Sequence, residues 1–297
     1  MNYYSEIKQK LIDNQIYIKV KDYLKERNTV ITYYEIGRLL HEAGSKYGES
    51  IIEKYSKKLV LEVGKKYNRR TLFRMRQFYR MFSNEKVSSL RTQLTWSHYR
   101  QLLSMKDVNE IQYYINQCIK LNLSTRELEE KIKNREYERL DIKTRERLAK
   151  KEETRVSDFI KKPIIINNSY NYEYVSERIL KQLILEDMDN FLRELGEGFC
   201  YIRNEYKIKI GDRFNYIDLL LYNIKYKCYV VIELKVTELK SEYIGQIQKY
   251  MNYIDKEIKT IDENTTIGII IVRKENKYVM EYCSDERIFE TTYVLKT

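Results

Sequence analysis

Tyr216-Ile-Asp-Leu-Leu-Leu-Tyr222 and, after a short break, Cys228-Tyr-Val-Val-Ile-Glu-Leu-Lys235 read as two hydrophobic β-strands with three charged groups where a buried strand ordinarily has none. Side chains alternate across a strand, so Glu233 and Lys235 share one face and Leu234 takes the other. An unpaired buried charge is costly, and such groups must be paired or bind a metal. Two carboxylates and a lysine at the end of a sheet suit Mg²⁺ and phosphodiester chemistry. The Glu-x-Lys triplet alone carries little weight, because it recurs at Glu238/Lys240 and in stretches of helical or loop character, where such pairs form a solvated face. What sets Glu233/Lys235 apart is the Val-Val-Ile run before it and Asp218 fifteen residues upstream in a neighbouring strand. The plainer alternative is an edge-strand ion-pair network with no chemistry.

Around these strands the pattern is α/β. Ser176 caps a helix predicted through Leu195 and stopped by Gly196-Glu-Gly198. Strands are expected over 199–203, 206–210, 215–223 and 228–235, then a helix from Ser241 to about 258 and a buried strand over 265–272. The first strands form a meander, and the last is reached by a helical crossover. The chain's one proline, Pro163, follows Lys161-Lys162 and marks a junction. The expected division is a helical domain over 1–155, a linker over 156–170 and an α/β domain with a mixed sheet over 171–297.

Residues 1–155 lack proline, and their apolar residues recur at three- and four-residue spacing. Gly64 separates helices expected over 49–63 and 68–82, the spacing of a helix-turn-helix. In the second, Leu72, Met75, Tyr79 and Phe82 form one stripe, while Arg69, Arg76 and Arg80 share another face with Arg70 and Arg74 beside them. Lys65, Lys66 and these five arginines lie within sixteen residues that contain no acid. Phosphates attract such a row, so it is a candidate DNA-binding surface, with RNA and a merely solvated basic face as the alternatives. Ser124 and Glu127 form a capping-box pattern opening a long charged helix towards Arg155.

Charge is segregated along the chain. Residues 1–155 hold 34 Lys and Arg against 21 Asp and Glu, a balance of +13, whereas residues 156–297 hold 21 against 23, a balance of −2. A basic module beside a near-neutral one suggests that one part grips a polyanion while the other acts on it.

Other chemistries find little support. Cys118, Cys200, Cys228 and Cys283 are far apart, which fits buried thiols and gives no zinc or redox spacing. His41 and His98 are the only histidines, too few for a zinc or His-driven hydrolytic site, and Trp96-Ser-His98 reads as a packed helix start capped by Ser97. There is no phosphate-loop motif, no membrane-spanning apolar run and no signal-peptide core, so a cytoplasmic location is expected.

Taken together, Ile217-Asp218, Ile232-Glu-Leu-Lys235, Tyr243-Ile-Gly-Gln-Ile-Gln-Lys-Tyr-Met-Asn-Tyr-Ile-Asp255 and Phe191-Leu-Arg-Glu-Leu-Gly-Glu-Gly-Phe199 resemble the PD-(D/E)XK nuclease domain of the YhcG-like family. Gln93-Leu-Thr-Trp-Ser-His-Tyr99 and Leu72-Phe-Arg-Met-Arg-Gln-Phe-Tyr79 resemble that family's helical N-terminal domain. The resemblance implies a restriction-endonuclease-like core acting on DNA. Asp218, Glu233 and the main-chain carbonyl of Leu234 would ligate Mg²⁺ (or Mn²⁺), and Lys235 would orient or deprotonate the attacking water and stabilise negative charge. Gln246 would face the site from the following helix. The chain departs from the pattern twice: Ile217 stands in place of proline, as in many members of the superfamily, and, more seriously, Leu180-Lys181 stands where the family usually offers Leu-Glu. Glu177, one turn earlier, or Glu186 would then substitute for the first-helix acid. The implied function is a metal-dependent DNA endonuclease of recombination, repair or defence against foreign DNA. Pairing into a homodimer and a protein partner for the N-terminal domain are compatible with it. The alternative is a non-catalytic DNA-binding or assembly protein on a nuclease-like scaffold.

Overall fold

Strands that are apolar on both faces require a helix layer on each side, and the second half of the chain supplies both. The computed structural model describes residues 2–19, 25–83, 94–150, 152 and 156–297. The chain divides into two units, Met1–Tyr137 and Glu138–Thr297. In the second unit, β1 (Ile164–Asn167), β2 (Phe199–Ile210), β3 (Arg213–Asn223), β4 (Cys228–Glu238), β5 (Asn264–Lys274) and β6 (Ile288–Lys296) form one sheet in the order β1-β6-β5-β4-β3-β2. The meander β2-β3-β4 is antiparallel, and β4, β5, β6 and β1 run parallel, so the sheet is mixed as expected.

Helices α9 (Glu177–Glu186) and α10 (Met188–Leu195) cover one face, where Leu180, Leu183 and Phe191 pack with Leu219, Ile232 and Leu234. Helix α11 (Ser241–Glu257) makes the β4-to-β5 crossover and covers the other, where Ile247, Met251 and Ile254 pack with Leu220, Val231 and Ile270. The short helix α12 (Lys277–Glu281) links β5 to β6.

Three expectations for this unit change. The helix predicted over 176–195 breaks at Asp187, whose φ of −131° and ψ of 55° leave the helical region. Its carboxylate accepts the N–H of Asn190 at 3.3 Å and restarts the chain as α10. The strands expected over 199–203 and 206–210 are one strand, β2, irregular between Tyr201 and Arg203, with Glu205 at a φ of 47°.

The stretch 156–170, read as linker, contains β1, which pairs with β6 through Ile164 and Tyr293. Buried charge fixes this segment. Glu194 on α10 accepts the N–H of Ile165 at 2.8 Å and the Arg139 guanidinium at 3.1 Å, with the Lys161 ammonium at 3.5 Å. A four-residue strand has no periodicity to read; its partner, over 120 residues away in sequence, defines it.

The first unit is helical: α1 (Tyr3–Lys19), α2 (Lys25–Tyr47), α3 (Ser50–Glu62), α4 (Arg69–Phe82), α5 (Trp96–Leu102), α6 (Val108–Leu121) and α7 (Thr125–Lys133). Ile7, Leu11, Ile36, Leu40, Leu59, Leu72 and Met75 share its core. Helices α2 and α4 approach so closely that a Cβ on Gly37 would overlap the carbonyl oxygen of Met75. Gly64, at a φ of 147°, ends α3, and a single 3₁₀ turn over Lys65–Tyr67 leads to Asn68, whose side chain accepts the N–H of Thr71 at 3.1 Å and caps α4.

The capping box of Ser124 and Glu127 is formed in both directions. The long helix expected beyond it is not. Helix α7 ends at Lys133, Arg135 adopts a φ of 52°, Tyr137 and Leu140 are buried, and helix resumes only as α8 (Ile142–Lys150). These two buried apolar side chains fall where the charge pattern alone suggested a solvated arm. The expected end at Arg155 and residue Gln93 lie outside the described residues. His98 is buried, with Nδ1 2.8 Å from the Thr95 hydroxyl and Nε2 3.0 Å from the Leu123 carbonyl oxygen. Thr95 occupies the N-cap position of α5, and Ser97 lies inside the helix rather than capping it.

Candidate active site

The β3–β4 ladder pairs Asn223 with Cys228 and runs to Leu219 with Ile232, where it stops. The next residues in each direction away from the hairpin are Asp218 and Glu233, at the fork between the strands. There the Oδ2 atom of Asp218 accepts the backbone N–H of Leu234 at 3.0 Å. A carboxylate thus takes a donor that β3's backbone no longer meets.

Glu233 is 1 % exposed and Lys235 8 % exposed. The Oε2 atom of Glu233 accepts from Lys235 Nζ at 3.3 Å and from Gln246 Nε2, on α11, at 3.2 Å. Gln246 also donates to the Tyr250 hydroxyl, one turn on, at 3.1 Å. From the other helix layer, Glu177 Oε2 lies 3.8 Å from Lys235 Nζ. Asp218, Glu233, Lys235, Gln246 and Glu177 therefore converge, with Leu234 between the two charged residues of β4. Glu186 turns to Gln182 of its own helix, at 2.9 Å, and takes no part in these contacts.

The position where a first-helix acid was expected holds Lys181. Its ammonium donates to Asp218 Oδ1 at 2.9 Å and to Glu205 Oε1 at 3.1 Å. The β2–β3 register brackets Glu205 opposite Asp218, through Asn204 with Leu219 and Tyr206 with Ile217. Sequence reasoning missed Glu205, Tyr250 and Tyr243, whose ring centroid lies 5.3 Å from Lys235 Nζ. Tyr250 carried a usable signal, because it follows Gln246 by four residues on a helix. Glu205 carried none, since its placement depends on strand register.

Burial, reinforced by the Asp218 charge, pushes the Glu233 carboxyl up to about 7. Burial pulls the Lys235 ammonium down, but Glu233, Glu177 and Asp218 outweigh it and hold the group above the ordinary lysine value. Lys181 is likewise lowered by burial and raised further by Asp218 and Glu205. The second Glu233 oxygen, Oε1, is buried with no hydrogen-bond partner. An orphaned carboxylate oxygen is costly, and a hard cation is the ligand that satisfies it. Among the described residues no group of three or more His, Cys, Asp or Glu side chains is arranged as a metal cage. Two carboxylates without a closed cage of protein ligands suit an ion that keeps part of its water shell, as Mg²⁺ does.

The basic row of the first unit is placed unevenly. Lys65, Lys66, Arg69, Arg70 and Arg80 are exposed, and Arg74 is half-buried. Burial, and after it the like charges of Arg70 and Arg100, pull the Arg74 guanidinium below its ordinary value. Arg76 is turned inward: it is buried, pairs with Glu49 and stacks 4.9 Å from the Phe73 ring centre. It leaves the expected polyanion-facing row because its three-methylene stem and guanidinium are spent on packing and on Glu49.

Residues 157–296 match the YhcG PDDEXK nuclease domain, and residues 7–139 match the DUF1016 N-terminal domain. An Escherichia coli (strain K12) protein described as "Putative nuclease YhcG" is 24% identical over 282 residues, covering 81% of this chain and 75% of that protein. Among solved structures, a repair endonuclease from Pyrococcus abyssi matches 42% of this chain and 49% of its own at 21% identity and a TM-score of 0.30. A complex of EndoMS with double-stranded DNA matches 42% and 48% at 18% identity and a TM-score of 0.31, so the chain spans about half the length of each. With both sequence matches falling on the two structural units, the chain belongs to the family that joins a DUF1016 N-terminal domain to a YhcG PDDEXK nuclease domain.

Proposed function

We propose that this chain is a Mg²⁺-dependent (or Mn²⁺-dependent) DNA endonuclease that hydrolyses phosphodiester bonds at the β3–β4 fork, serving recombination, repair or defence against foreign DNA. The observation that carries the reading is the meeting of Asp218 and Glu233 at that fork, with one Glu233 oxygen buried and unpartnered. Asp218, Glu233 and the Leu234 carbonyl would hold the metal, which lowers the pKa of a bound water and offsets charge on the phosphoryl oxygens. Lys235, kept protonated by three carboxylates, acts as an ammonium: it orients water and phosphate and stabilises negative charge in the transition state. Its charge argues against the water-deprotonating role implied by the resemblance. Gln246 fixes the rotamer of Glu233, and Glu177 steadies Lys235. The exposed part of the basic row in the first unit grips the DNA backbone.

The test is cleavage of plasmid, linear and branched DNA with Mg²⁺ or Mn²⁺ titrated in. Asp218→Asn and Lys235→Ala are expected to lower the rate by roughly 10²-fold or more, with folding and DNA retention intact, and EDTA is expected to abolish it. Wild-type rates in both variants would end the proposal. One observation favours the non-catalytic alternative: Lys181 already neutralises Asp218. That reading requires DNA binding with no turnover under any divalent cation.

A further inference from the structure

Lys181 holds the position expected for a first-helix acid and lies directly against Asp218. Its ammonium, 2.9 Å from Asp218 Oδ1, takes the side of that carboxylate facing α9, and Glu205 backs it at 3.1 Å. Four carboxylates and two ammonium groups are linked in the cluster: Asp218, Glu233, Glu177 and Glu205 against Lys181 and Lys235. Their formal sum, four negative and two positive, is −2, the complement of a single divalent cation. A second divalent ion would have to approach Asp218 from a side held by a fixed positive charge, where the one further acid in contact, Glu205, is already paired with that charge. At a few ångströms, part-shielded from solvent, like-charge repulsion outweighs what one shared oxygen returns.

We infer that Lys181 is a built-in substitute for a second cation: it restricts the centre to one divalent metal and sets that metal's affinity by competing for Asp218. The inference rests on the nuclease reading above and adds to it the metal number. Lys181 acts through Asp218 and is a positioning residue.

The experiment counts Mn²⁺ on the full chain without DNA, by electron paramagnetic resonance and calorimetry, alongside a thermal melt. The wild-type protein is expected to bind one ion. Lys181→Glu supplies the missing acid and is expected to bind two. Lys181→Met, close in length and uncharged, is expected to keep one ion but tighten it about tenfold, the scale of removing one nearby part-screened charge. Two ions on the wild-type protein, or an unchanged affinity in Lys181→Met, overturns the inference while the nuclease reading stands if cleavage persists. If Lys181→Glu fails to fold, the Lys181→Met affinity decides alone. Absence of Mn²⁺ binding together with absence of cleavage overturns both.

Discussion

Glu233 shows how one buried side chain links stability to chemistry. In the unfolded chain its carboxyl titrates near 4.5, and in the folded protein near 7, because burial and Asp218 disfavour the anion. Between those values the folded state keeps a proton that the unfolded state has released. The metal-free protein therefore loses stability as pH rises from about 4.5 to 7, by about 3 kcal/mol in all, and the loss levels off above that window. Urea unfolding of the metal-free protein at about pH 5 and pH 8 should show this fall, and Glu233→Gln should flatten it. Adding Mg²⁺ should restore stability mainly at the higher pH, where the carboxylate is free of its proton. A slope unchanged by Glu233→Gln would place the titration elsewhere.

At the level of elements, the anchoring of β1 is the sharpest case. Glu194 on α10 is 4 % exposed and is satisfied by Arg139, Lys161 and the amide of Ile165. Removing the carboxylate strands two cations in a buried site. Glu194→Ala is expected to cost about 3–5 kcal/mol of stability in the second unit, read as a shift in its denaturation midpoint. A cost below about 1 kcal/mol would show that hydrophobic packing alone seats β1. The same cluster explains why residues 156–170 behave as part of the sheet domain although their composition suggested a junction.

Across the molecule, the net charge resides in one unit. Residues 1–137 contain 27 Lys and Arg against 16 Asp and Glu, and residues 138–297 contain 28 of each, so the first unit accounts for the whole +11. DNA retention is therefore expected to depend on the helical unit and on salt. Arg70→Ala with Arg80→Ala should lower the slope of log K against log[salt] by about 2, one unit per lost phosphate contact. Arg76→Ala should leave that slope alone and lower the unit's thermal stability, because the side chain is committed to Glu49 and Phe73. Equal slope changes from both variants would refute this division of labour between surface and core arginines.

The sequence by itself determined the class of each half, the meander and crossover of the sheet, the capping box at Ser124 and the identity of the Asp218, Glu233 and Lys235 cluster. These are local signals: apolar period, turn residues, and charges inside strands that cannot carry them unpaired. Only the tertiary structure decided what depends on contacts between distant residues. It made β1 and β6 partners, broke the helices at Asp187 and beyond Lys133, turned Arg76 inward, and brought Lys181 and Glu205 to Asp218. Strand register and the direction of a long side chain are set by neighbours far away in the chain, and no local pattern encodes them.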